Sequence, residues 1–146
     1  MTTETFSAES QYVVFKIGPE SYGIDIFRVN EIIRLRPITP VPGTPPYVKG
    51  LVNLRGKTVP IFDLSERLGM FADEQTDSWR IVILDGKHGL VGVIVHQVCE
   101  VTTLSGDNVD AAPPMTSSMN ADLVLGVAKT EVGLITLLDM DKVLGE

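Results

Sequence analysis

The chain has 146 residues, an apolar fraction of 44% and a formal net charge of −7. That length holds one domain or two very small ones, and the apolar content suits a packed globular fold. The acidic balance argues against a nucleic-acid binder and against a protein held on anionic lipid by a basic face.

Residues 1–10 are polar, rich in Thr, Ser and Glu, and read as a disordered tail without the basic start and apolar core of a signal peptide. No apolar run anywhere nears the roughly 20 residues that span a bilayer. Residues 12–17 are β-branched and aromatic and stop at Gly18-Pro19, a strand and its turn. A second strand starts at Tyr22. Beyond it, the mixed pattern of Phe27, Arg28, Val29, Asn30, Glu31 and Ile32 predicts a bend or a single helical turn rather than a long helix. Pro37, Pro40, Pro42, Pro45 and Pro46 then rule out helix and central strand. The segment reads as a stiff connection wrapped over the surface.

Residues 50–69 form the most informative unit. Two short apolar runs, 51–54 and 59–64, flank Arg55-Gly56, where glycine permits a tight reversal. Asp63 suits a helix cap with Glu66 three residues on as its capping-box partner, and Gly69 suits the stop. Pro60 marks its strand as an edge or bulged position. A polar loop follows, then strands at 81–84, 90–95 and 98–104 with a turn at 85–89. Residues 105–120 are irregular. A last hairpin spans 123–129 and 132–138, and a short helix closes the chain at 139–145.

The chain repeats itself. Residues 50–69 align without a gap on 126–145, matching Gly50 with Gly126, Asp63 with Asp139 and Gly69 with Gly145. Residues 22–32 align on 91–101, matching Gly23 with Gly92, Val29 with Val98 and Glu31 with Glu100. Both matches run in the same order, so the chain reads as two copies of one β unit. Each copy has the size of a small barrel and is marginal alone, so the two should share a hydrophobic interface. The tips differ, for Arg55 meets Glu131 and Asn53 meets Lys129. The first tip therefore has a task that the second lacks.

Catalytic and metal chemistry find little footing. His88 and His96 have no second ligand at metal spacing, and Cys99 reads as a small core residue. One cysteine forms no intrachain disulfide, which fits a reducing cytoplasm. Phosphate loops, nucleophile elbows and metalloprotease patterns do not occur. The residues thus point to no cofactor, no metal and no catalytic set. Glu31 and Arg55 stand out against the alternative of solvated surface charges.

At these residues the chain resembles the family of CheW-type chemotaxis coupling proteins. The matching text is Tyr22-Gly23-Ile24-Asp25-Ile26, Val29, Glu31-Ile32, the run 44–50, Asn53-Leu54-Arg55-Gly56, Val59-Pro60-Ile61, Asp63-Leu64 and Val91-Gly92-Val93. The resemblance implies an all-β fold of two small SH3-like five-stranded barrels packed on a shared hydrophobic core, with short helical turns. The domain would span 11–146, with approximate halves 11–72 and 78–146 and an exchanged strand left open. The resemblance also implies a non-catalytic adaptor in the cytoplasm, recruited to membrane-associated receptor arrays. Its partners would be the regulatory domain of a CheA-type histidine kinase and the cytoplasmic tip of a methyl-accepting chemoreceptor, with no membrane insertion. Carried over by position, receptor contacts fall on Val29, Glu31 and Arg55. Kinase contacts fall on Ile81, Val91 and Gly92, and a contact closing array rings falls on Pro114 and Met115. A small-ligand-binding or catalytic barrel on the same fold is the alternative.

Overall fold

The computed structural model describes residues 9–70, 74–110, 121–131 and 133–145. Two β-sheets make up the molecule. Strands β1 (Ser10–Ile17), β2 (Glu20–Asp25), β8 (Gln97–Leu104), β9 (Val109–Asp110), β10 (Val124–Thr130) and β11 (Gly133–Leu138) form one, in the order β8-β1-β2-β11-β10-β9. Strands β3 (Val29–Arg34), β4 (Val48–Leu54), β5 (Lys57–Asp63), β6 (Arg80–Gly86) and β7 (Gly89–Val95) form the other, in the order β3-β6-β7-β5-β4. Helices α1 (Leu64–Arg67) and α2 (Met140–Leu144) end the β4–β5 and β10–β11 hairpins.

This partition differs from the expected halves 11–72 and 78–146. Each copy of the repeat lends its first hairpin to the other: β1–β2 pairs with β8 and β11, and β6–β7 pairs with β3 and β5. The crossings lie at the 3-10 turn Ile26–Arg28 and at His96, each a short step between consecutive strands. The proline-rich connection stays with its own sheet. There Thr39 pairs with Leu51 through two hydrogen bonds of 2.9 and 2.8 Å.

The repeat is kept down to the register. Ile61 lies opposite Gly92 in one parallel pair, and Leu137 lies opposite Gly23 in the other. The pairing of β3 with β6 shifts between Val29 and Glu31, and that of β1 with β8 passes from Val98 to Glu100. Asp63 and Asp139 each cap a helix, accepting from the backbone N–H of Ser65 and Lys142. The capping box expected of Glu66 does not form. The Asp63 N–H donates to Tyr47 O at 2.7 Å, and Glu66 pairs with Lys49.

The exchange explains the core. Phe15, Ile17 and Ile24 from β1–β2 pack with Val82, Val93 and Val95 from β6–β7 and with Leu64 and Val143 from the helices. Each sheet also folds over a core of its own, one around Ile61 and Ile81, the other around Val14 and Leu137. Neither copy could bury these faces alone, because each face needs strands from both copies.

Three local readings need correction. Ser10, placed in the tail, belongs to β1 and pairs with Leu104, while residues 1–8 lie outside the described residues. Cys99 is exposed rather than core, because it is the extra residue of the bulge between Val98 and Glu100. Pro60 sits inside an inner strand, but β5 meets β7 only from Ile61 onward, so the proline interrupts no ladder on that side.

Candidate functional site

The site grows from the turn before β3. Asp25 Oδ1 accepts the Phe27 N–H at 2.9 Å and fixes the 3-10 turn Ile26–Arg28. Val29 then opens β3, an edge strand, with Glu31 beyond the bulge. Val29 and Glu31 are half-buried, and Phe27 stands 87% exposed beside them. Sequence reading missed Phe27 as a surface residue, although an aromatic flanked by Asp25 and Arg28 in a helical turn was a usable sign.

Arg55 reaches the same place from the β4–β5 tip. Arg55 and Gly56 have φ of 52° and 83°, the pair of positive values that a two-residue hairpin turn of the primed type requires. Asn53 Oδ1 accepts the Gly56 N–H at 3.0 Å and steadies the turn. A positive φ suits glycine and disfavours arginine, so the tip holds a residue its backbone does not favour. Arg55 Nη2 donates to Glu31 Oε1 and joins the tip to β3. That hydrogen bond, with smaller help from the charges of Arg55 and Arg36, holds the Glu31 carboxyl below the usual carboxylate range. In return Glu31 raises the guanidinium's already high value. Arg55 and Glu31 thus meet, while Val29, paired with Leu84 where Glu31 pairs with Ile83, packs against the core that the two copies share. The second copy offers Glu100 and Glu131 at the matching places, two acids and no ion pair between them.

The expected kinase-side residues separate. Ile81 is fully buried and packs in the core of its own sheet, and a Cβ on Gly92 would stand 2.6 Å from Ile61 Cδ1 and 2.7 Å from Ile81 Cγ2. Both are packing positions, so the expectation of a direct contact there is corrected. Strand β6 lies between β3 and β7 with Ile81 facing inward, and Gly92 lies on the neighbouring β7. Val91 differs. At 9% exposure it reaches the wall of an open groove of about 460 Å³, with Pro60, Asp85, His88 and Leu90. The groove exists because β5 and β7 diverge before Ile61. Pro114 and Met115 lie outside the described residues.

Other candidate groups are taken up by the fold. His96 is buried, stacks on Trp79 at 4.3 Å, and accepts the Gly18 N–H on Nδ1 at 2.9 Å. Among the described residues no group of three His, Cys, Asp or Glu could hold a metal ion.

Comparison with known proteins places the chain in a family and matches its fold. A family model described as the CheW-like domain matches residues 11–146. The chain is 35% identical over 133 residues to the chemotaxis protein CheW of Rhizobium meliloti (strain 1021), covering 91% of this chain and 86% of that one. It is 32% identical over 144 residues to the chemotaxis protein CheW of Bacillus subtilis (strain 168), covering 99% and 92%. The crystal structure of the scaffolding protein TtCheW from Thermoanaerobacter tengcongensis matches with a TM-score of 0.83 at 34% identity, over 90% of each chain. By sequence and by fold, the chain belongs to the CheW-like domain family.

Proposed function

We propose that the chain is a non-catalytic adaptor that joins the cytoplasmic tip of a methyl-accepting chemoreceptor to the regulatory domain of a CheA-type histidine kinase. The observation that carries this reading is the Arg55–Glu31 pair, set beside Val29 and the exposed Phe27. The duplicated scaffold keeps Gly50, Gly69 and the Asp63 cap as Gly126, Gly145 and Asp139, but puts this pair in only one copy. A receptor tip is a helical hairpin, and one of its helices can lay apolar side chains on Phe27 and Val29 while the charges set register. Arginine serves well here because its planar fork makes two hydrogen bonds at once.

The kinase side falls at the groove beside Val91 and Leu90, whose other walls are Lys57 to Pro60 of β5 and Asp85 of β6. Ile81 and Gly92 support it from beneath. A ring-closing contact at Pro114 and Met115 rests on the family resemblance. Among the described residues no helix is long and apolar enough to cross a membrane. Recruitment to receptor arrays would therefore come through these protein contacts. The test is reconstitution with purified parts. Kinase regulatory domain should be retained on an immobilised receptor tip only when this chain is added, and retention independent of the chain would refute the adaptor role.

A further inference from the structure

The two proposed contact sites are tied together by side-chain hydrogen bonds. Arg28, immediately before Val29, donates from Nε and Nη2 to the backbone oxygen of Asp85 at 3.3 and 3.0 Å. Its Nη1 donates to Asp141 Oδ1 on α2 at 2.9 Å. Asn30, the bulge residue between Val29 and Glu31, donates from Nδ2 to Asp85 Oδ1 at 3.3 Å. Asp85 is the last residue but one of β6 and lines the groove that holds Leu90 and Val91. So the residues on either side of Val29 are both fastened to one residue of the other site.

The internal repeat supplies a control. By the alignment of 22–32 on 91–101, Arg28 corresponds to Gln97 and Asn30 to Cys99, and the same offset carried back over the β1–β2 and β6–β7 hairpins matches Asp85 with Lys16. Among the described residues no side-chain hydrogen bond joins that second trio. The scaffold builds the same bulge and the same strand pairing there without it. There the matching oxygen, Lys16 O, accepts the His96 backbone N–H at 2.9 Å instead. Among the described residues the side-chain tie thus belongs to the copy that carries the Arg55–Glu31 pair.

We propose that Arg28 and Asn30, acting through Asp85, are positioning residues that couple the two sites. A helix seated on the Arg55–Glu31 pair presses on a strand whose movement is passed to the rim of the groove. Coupling of this kind is reciprocal: whatever receptor tip does to kinase affinity, kinase does to receptor affinity. The inference rests on the adaptor reading above, and a contiguous set of bonds becomes a coupling path only when the coupling is measured.

The experiment measures four affinities on the full chain, using purified kinase regulatory domain and a soluble receptor-tip fragment as probes. Each is measured alone and with the other saturating. Wild type should bind each partner about fivefold or more tightly when the other is present. Arg28→Ala should leave both separate affinities within about twofold and bring that ratio close to one, and Gln97→Ala should preserve it. Asn30→Ala carries the same test if Arg28→Ala does not fold. A ratio unchanged in both variants, or a wild-type ratio of one with both partners bound, overturns the tie alone. Wild type binding neither partner overturns the adaptor reading and the tie with it.

Discussion

Gly50 lies directly beneath the carbonyl of Thr39: a Cβ at Gly50 would stand 2.1 Å from Thr39 O and 2.6 Å from its carbon. This approach lets the proline-rich connection close onto β4 through the Thr39–Leu51 bridge. The second copy repeats it, with Gly126 under Asp110 O at 2.6 Å.

Gly50→Ala should therefore destabilise the protein by about 2–4 kcal/mol, since backbone must move and two hydrogen bonds are strained at about 1 kcal/mol each. Its φ of +144° adds conformational cost to any side chain. Urea unfolding of the variant against wild type measures this, and a loss under about 0.5 kcal/mol would show that the connection is not held there.

The exchanged hairpins predict one cooperative unfolding transition. Trp79, the single tryptophan, is buried in the core of one sheet and reports on it by fluorescence. Far-UV circular dichroism reports on both sheets. The two curves should share a midpoint, because neither sheet keeps its strands once the other opens. A fluorescence transition clearly separated from the dichroism would mean that the sheets unfold independently.

Much of this was legible in the chain. The hairpins, the caps at Asp63 and Asp139 and the internal repeat announce themselves through glycine, proline and short-range polar signals. The exchange of hairpins was not readable, because a strand's alternation states which face is buried and not which distant strand lies beside it. Cys99 misled for a related reason: one extra residue in a bulge turns a side chain that otherwise follows the apolar run. Ile81 and Gly92 match the family pattern but serve packing, and the groove they underlie arises from where β5 and β7 part, a tertiary fact. Arg28 read as an ordinary polar break, since its partner Asp85 is distant in sequence.

The kinase side is tested by contrasting two substitutions. Leu90→Asp changes the half-buried wall of the groove and should weaken binding of the kinase regulatory domain by tenfold or more while the protein still melts cooperatively. Ile81→Asp places an unpaired charge in a fully buried site and should abolish the cooperative fold. Calorimetry beside titration separates them. Unaltered kinase binding in a folded Leu90→Asp variant would move the contact elsewhere.

Receptor binding should depend on pH in one direction. The folded protein holds the Glu31 carboxyl below its ordinary range, so the pair with Arg55 is complete at neutral pH and above that range. It is lost as pH falls through the lowered value. Binding of a receptor tip should thus stay flat from neutral pH down to the ordinary carboxylate range and weaken only below it. Glu31→Gln should remove the part of that acid limb which belongs to this pair. An identical acid limb in the variant would assign the loss to other groups.

The most direct measurement is of two affinities on one purified variant, Arg55→Ala. Arg55 is exposed at a hairpin tip, so the fold should be kept, as thermal melting will show. Receptor-tip binding should fall by roughly ten- to a hundredfold, the usual range for truncating an arginine anchor. Binding to the kinase regulatory domain, with the receptor absent, should stay within about twofold of wild type. Equal loss of both affinities, or loss of neither, would contradict the assignment of this face to the receptor.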